Sequence, residues 1–231
     1  MTPQTNTRRV TLMAGVLFLF ALAAPLHGQT SQRAFPKIGG FAGVTFVPSF
    51  SFDGETFDGQ SAYQRVDGEE LLFLPKLDEQ PMIRGILGYR ARQASLELSY
   101  ERTQHDGTFA DVAAMDATFQ AVNVDGRYFF LPTKRVQPHV LVGGSLPFLD
   151  IENGSFLDPD LGDASFRGYG VNTEVGVTVY PTQRLGISAG YSYRWIWFDR
   201  ATGVDDKPVG DLRPRFRETM GSVAITGTFI F

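Results

Sequence analysis

The chain has 231 residues, 43% of them hydrophobic, with 21 Lys and Arg against 25 Asp and Glu. A mildly acidic sequence without a basic tract argues against nucleic acid as a partner. Zero cysteines exclude a disulfide framework and any thiolate metal site. The length suits one barrel domain.

The first segment is set apart from the fold. Arg8 and Arg9 precede an apolar run from Val10 to Ala24, and Pro25-Leu26-His27-Gly28 closes it with small and turn-forming residues. This order predicts a cleavable signal peptide over residues 1–28. The run is too short for a spanning helix, which needs about 20 residues. Removing it leaves 19 basic and 25 acidic residues, a net charge of −6. Residues 29–36 then form a short lead, and 37–231 a single barrel domain.

From Lys37 onward, runs of alternating character are separated by breaks. Lys37–Val47 is Gly-rich and does not settle which parity faces out. Ile83–Arg92 sets Ile83, Leu87 and Tyr89 against Arg84 and Arg90; Ala94–Tyr100 sets Leu96, Leu98 and Tyr100 against Glu97 and Ser99. Thr118–Phe130 opposes Val122, Val124, Tyr128 and Phe130 to Asn123, Asp125 and Arg127, and Val136–Leu146 is a weaker run. Tyr169–Tyr180 puts Tyr169, Val171, Val175, Val177 and Val179 opposite Asn172, Glu174 and Thr178. Leu185–Trp197 is the clearest, with seven apolar or aromatic residues on one parity. Val223, Ile225, Phe229 and Phe231 complete the series. Period-two alternation of this length predicts strands with two unlike faces.

The breaks alternate in length. Short ones lie at Arg92–Ala94, Leu131–Arg135 and Pro181–Arg184. Long ones run over Pro48–Pro81, Thr103–Ala117, Phe148–Gly168 and Asp199–Arg217. Four long and three short connections predict an all-β, eight-stranded antiparallel up-and-down barrel with both termini on the short-turn side. That asymmetry is the outer-membrane pattern of short periplasmic turns and long extracellular loops.

Three features assign the apolar faces to lipid. Aromatics sit at the strand ends: Tyr100, Tyr169, Trp195 and Trp197 toward the long loops, Tyr89, Tyr128, Phe130, Phe229 and Phe231 toward the short turns. Two such girdles around an aliphatic middle fit two lipid–water interfaces. The opposite face carries Arg84, Arg90, Glu97, Asp125, Arg127, Glu174, Arg194 and Glu218. Four arginines facing lipid would cost on the order of 10 kcal/mol, so the charges face inward, where near balance predicts a paired network closing the lumen. The last strand ends on Phe229 and Phe231, which resembles the signal read by the outer-membrane barrel assembly machinery.

From Lys37 to Phe231 the chain resembles the small outer-membrane β-barrel superfamily of the OmpA, OmpX and OmpW type. The likeness rests on VDGRYFF (Val124–Phe130), QPHVLVGG (Gln137–Gly144), VGVTVYPTQRLGISAGYSYR (Val175–Arg194) and the final GTFIF. The resemblance implies an exported protein of the bacterial outer membrane, with lipid and the assembly machinery as partners. A peptidoglycan-binding domain after Phe231 is not expected, which removes cell-wall tethering from the reading.

Chemistry is sparse. The mature chain has only His105, in a turn-like His-Asp-Gly context, and His139 near a strand start. Neither has the serine that barrel hydrolases pair with histidine, and two isolated histidines make a poor metal site. Loop acids (Asp53, Asp58, Asp158, Asp160, Asp163, Asp205, Asp206) match no spaced calcium loop. No enzyme, metal or cofactor is expected. The leading expectation is a structural or surface-interaction barrel with a charge-paired lumen. The alternatives are a narrow pore or an OmpW-like transporter of small apolar molecules, for which Ile196 and Phe198 share the inward parity near the outer rim. Adhesion through the aromatic-rich Phe46–Phe57 segment, with a short extra element over Glu69–Asp78, and a soluble periplasmic ligand-binding barrel complete the set.

Overall fold

The computed structural model describes residues 35–52, 63–66, 69–72, 76–109, 113–152, 164–202 and 217–231. The signal-peptide reading of residues 1–28 and the loop acids Asp53, Asp58, Asp158, Asp160, Asp163, Asp205 and Asp206 lie outside these residues. The described strands are β1 (Gly39–Phe52), β2 (Tyr63–Val66), β3 (Glu69–Leu72), β4 (Lys76–Arg90), β5 (Ala94–Phe109), β6 (Ala113–Phe129), β7 (Val136–Glu152), β8 (Ala164–Val179), β9 (Leu185–Thr202) and β10 (Arg217–Ile230).

Eight of them close an antiparallel barrel in the order β1-β10-β9-β8-β7-β6-β5-β4. The remaining two, β2 and β3, pair as a separate hairpin with Tyr63 opposite Leu72. The extra element of the first long connection is therefore this hairpin, and Lys76–Asp78 belongs to β4. Closure joins β1 to β10 from Phe41↔Ile230 to Phe46↔Ile225, whereas β10 runs along β9 from Arg217↔Trp197 to Phe229↔Leu185. A closed ring leaves no unpaired edge, the condition for strands to cross hydrocarbon.

Burial follows the parity. Val44, Ile83, Leu87, Leu98, Val124, Val142, Val175, Ile187, Val223 and Ile225 are exposed on the outside, while Arg84, Glu97, Asn123, Asp125, Arg127, Asn172, Glu174, Ser188 and Arg194 are buried inside. The first strand, ambiguous in sequence, turns Val44 and Phe46 outward and Phe41, Thr45 and Val47 inward.

The short connections are tight for local reasons. Ala91 N–H donates to Ala94 C=O at 2.8 Å and Lys134 N–H to Leu131 C=O at 3.0 Å. The Thr182 hydroxyl oxygen accepts from Arg184 and Leu185 N–H at 3.2 and 3.0 Å, a side chain standing in for a turn carbonyl.

The long connections are shorter than the sequence pattern suggested. Most of Thr103–Ala117 is the paired ends of β5 and β6, with Phe109↔Ala113 the last pair. Likewise β4 reaches back to Lys76, β7 runs on to Glu152, β8 starts at Ala164 and β9 continues to Thr202. The physical reason is that the inward and outward parity continues while the polarity of the two faces inverts. Beyond the outer girdle the outward face meets water, so Gln104, Asp106, Asp116, Glu152 and Arg167 point out, while Phe119, Leu149, Ile151, Phe166 and Phe198 point in. His105 accordingly stands in β5 with its ring buried, not in a turn.

Candidate functional site

The lumen is filled by side chains in three layers, as expected for a ring of eight strands. At the short-turn end Phe41, Ile86, Tyr180 and Ile230 form an apolar cluster with Phe35 packed beneath it. The lead crosses this mouth: Lys37 N–H donates to Gln183 C=O and Phe35 N–H to Pro132 C=O, both at 3.0 Å. Gln137 Nε2 donates to the Phe35 carbonyl and to Lys134 C=O at 2.8 Å. Arg90 lies just above, its guanidinium 3.2 Å over the Phe129 ring, donating to Gln137 Oε1 at 2.6 Å and to the Tyr180 hydroxyl at 3.2 Å. A buried cation is thus held by an aromatic face and neutral acceptors.

The middle layer is ionic. Arg127 Nη2 donates to Glu97 Oε2 at 3.1 Å, and its Nε lies 3.0 Å from Oε1 as an ion-pair contact without a hydrogen bond. Its Nη1 lies 3.6 Å from Glu174 Oε1. His139 Nε2 is 3.0 Å from the same Glu174 oxygen, and Nδ1 is 3.2 Å from Thr178 Oγ1. The Nε2–H tautomer lets the ring donate to the carboxylate and accept from the threonine hydroxyl. Asp125 accepts from Asn172 Nδ2 at 3.0 Å, and Asn172 Nδ2 also reaches Asn123 Oδ1 at 3.1 Å.

Above these, Glu101 is gripped from two sides. Arg84 Nε donates to Oε2 at 2.8 Å, Arg194 Nη2 donates to the same oxygen at 2.9 Å, and Arg194 Nη1 pairs with Oε1. In the ring, β5 and β9 stand four places apart in either direction, so the Arg194–Glu101 contact crosses the full lumen.

The outer layer is apolar. The Phe50 and Phe119 rings are 5.0 Å apart and the Phe166 and Phe198 rings 6.3 Å apart, with Val47, Leu77, Met82, Leu149, Ile151 and Ile196 buried alongside. Below the ionic layer lies a cavity of about 20 Å³ bordered by Arg90, Glu97, Arg127, Thr178 and Ser188, room for about one water.

Of the eight lumen charges named from sequence, Arg84, Arg90, Glu97, Asp125, Arg127, Glu174 and Arg194 are buried inside. Direct ion pairs join Arg127 to Glu97 and to Glu174; Asp125 and Arg90 are held by neutral partners, and the Glu218 side chain lies outside the described residues. Glu101 lies one residue beyond the alternating run Ala94–Tyr100 and so falls outside the charges expected from sequence. His139, Gln137, Asn123 and Asn172 likewise fall outside that expected network. The available signal was parity: Glu101 is two residues beyond Ser99 and four beyond Glu97 on the same face.

Outside, Tyr89, Tyr100, Tyr128, Phe130, Tyr169, Phe229 and Phe231 are exposed. Trp195 and Trp197 are half-buried by their neighbours, Trp195 edge-on to Tyr193 at 4.7 Å and Trp197 stacked on Tyr169 at 5.4 Å. Among the described residues no group of three or more His, Cys, Asp or Glu is arranged to hold a metal ion.

The family model described as "Outer membrane protein beta-barrel domain" matches residues 14–210. Among solved structures, Neisserial surface protein A superposes with a TM-score of 0.53 at 15% identity, covering 84% of this chain and 97% of that one. The outer membrane protein OprG from Pseudomonas aeruginosa gives 0.51 at 14% identity, over 85% and 99%. At such identities the likeness is one of fold. No curated protein matches the sequence.

Proposed function

The chain belongs to the outer membrane protein β-barrel domain family, and on that premise we propose that it is a non-enzymatic outer-membrane barrel with a closed lumen, acting through its outer surfaces. The observation that carries this reading is the Arg84–Glu101–Arg194 triad, anchored on opposed walls and buried. A charged bridge across a lumen already filled above by phenylalanines leaves no continuous water path for ions. The strands that continue past the outer girdle give the barrel a rigid collar in water, a platform for surface contacts. Planar-bilayer recording of the purified protein tests the proposal: the expected trace is silent, and a large steady conductance would overturn it.

One observation favours a second reading, sideways passage of small apolar molecules. The β7–β8 ladder pairs Ser145↔Gly170 and Phe148↔Arg167 but not the two positions between, where Pro147 has no N–H to give. The β7–β8 ladder is therefore interrupted beside the apolar layer, next to the Leu149↔Phe166 pair. Because the chain lacks cysteine, Leu146→Cys with Tyr169→Cys would allow a reversible staple across this gap. Uptake of an apolar fluorescent probe into proteoliposomes, lost on oxidation and regained on reduction, would support this route; uptake indifferent to the staple would eliminate it.

A further inference from the structure

The charged side chains of the short-turn rim are all of one sign. Lys37 of the lead, Arg92 between β4 and β5, Lys134 and Arg135 between β6 and β7, and Arg184 between β8 and β9 all stand there, four exposed and Arg92 half-buried. Residues 35–38, 91–93, 130–135 and 180–184 contain no acid, and the first acid of the whole sequence is Asp53, beyond the far end of β1. At the opposite end Asp78, Glu79, Asp106, Asp116 and Glu152 are exposed. Unlike Arg84, Arg127 and Arg194 in the lumen, the five rim cations form no ion pair among the described residues.

Their position relative to lipid is also defined. Exposed Tyr89, Tyr128, Phe130, Phe229 and Phe231 form the girdle immediately next to these turns, so the cations stand at the depth where headgroup phosphates lie. The lead gathers them into neighbours. Its backbone bond to Gln183 sets Lys37 beside the Arg184 turn, and Arg135 is held with its guanidinium 5.6 Å over the Phe35 ring, next in sequence to Lys134.

We propose that the short-turn rim binds the phosphate groups of anionic phospholipids in the leaflet it faces, with Lys37–Arg184 and Lys134–Arg135 as the two paired positions. The surface continues the lipid-facing girdle, and its positive charge favours headgroups of net negative charge over zwitterionic ones, whose own cation offsets the phosphate. Each engaged cation should favour an anionic over a zwitterionic lipid by about five-fold at low salt, an advantage that shrinks as the screening length falls to about 3 Å in 1 M salt.

The test uses the full barrel in phosphatidylcholine bilayers, with spin-labelled phosphatidylglycerol or spin-labelled phosphatidylcholine as the probe of lipid held at the protein surface. The expected result is a several-fold preference for phosphatidylglycerol at low salt, lost in 1 M NaCl. It should be lost in the variant K37S/R92Q/K134S/R135Q/R184Q and retained in K37R/R92K/K134R/R135K/R184K, which keeps the charge. Equal retention of both probes by the native protein, or a preference that survives high salt, would overturn the proposal. So would a preference undiminished in the folded neutral variant. If that variant does not fold, the salt titration of the native protein still decides.

Discussion

Arg194 on β9 and Glu101 on β5 join the two walls of the barrel that are farthest apart, and Arg84 on β4 completes the grip on the same carboxylate. Two guanidiniums share one acid with no exposure to water. Glu101→Gln would leave both cations facing a neutral amide. Breaking a buried pair in this way typically costs roughly 3–5 kcal/mol, so the urea midpoint of the folded barrel should fall sharply. Adding Arg194→Met to that variant should recover part of the loss, giving a non-additive double-mutant cycle. Equal stability of Glu101→Gln and the native protein would mean that the bridge contributes nothing.

Gly143 faces Asp125 across the β6–β7 ladder. A Cβ at Gly143 would lie 2.0 Å from Asp125 Oδ1 and 2.5 Å from the Val124 carbonyl oxygen, the latter a backbone atom with little room to move. Gly143→Ala should therefore destabilise the barrel by about 1–3 kcal/mol. Gly85, whose Cβ would meet nothing within 4 Å, is the matched control: Gly85→Ala should leave the unfolding curve unmoved.

Asp106, Asp116 and Glu152 occupy one cross-strand row on the outside of β5, β6 and β7, paired as Asp106↔Asp116 and Asp116↔Glu152. Like charges directly opposite each other are unfavourable. Asp116→Asn should raise the thermal unfolding temperature slightly, by less than about 1 kcal/mol in free energy, and the gain should vanish in 1 M NaCl. A drop in stability would show that the carboxylate has a favourable partner.

The two tryptophans of the chain, Trp195 and Trp197, lie on the lipid-facing parity of β9. In proteoliposomes, lipids brominated near the headgroup should quench their fluorescence more strongly than lipids brominated near the chain ends, because both sit toward the outer girdle. Aqueous iodide should quench weakly. Quenching by iodide with no response to brominated lipid would reverse the assignment of the two faces.

The barrel was legible because the bilayer imposes one rule along the middle of every strand, apolar out and polar in. Leu185–Trp197 carries that rule almost without exception, and its length and end aromatics locate both interfaces. The collar above the bilayer was not legible because the same alternation continues with its sense reversed. In β7 the change falls between Leu146, which faces lipid, and Leu149, which faces the lumen. Read with a fixed sense, Phe148–Gly168 has no pattern; read with the inversion, Leu149, Ile151 and Phe166 continue the strands. Glu101 was lost at the same boundary. Which acid meets which arginine was beyond any one-dimensional reading, since Glu101 and Arg194 are 93 positions apart and meet only because the ring places their strands opposite.

The seam between β1 and β10 is the briefest junction in the wall, from Phe41 to Phe46 on one side and Ile225 to Ile230 on the other. Its buried Thr45–Thr226 hydroxyl contact, at 2.7 Å, links positions 181 apart in sequence. No local nucleus can make that join, and contacts between distant positions form slowly. Until they do, β1 and β10 each present an open edge able to pair with another chain. The final zipping is thus both the slow stage of biogenesis and its most hazardous interval. Shielding those two edges is the service such a polypeptide most requires from whatever escorts it to the bilayer.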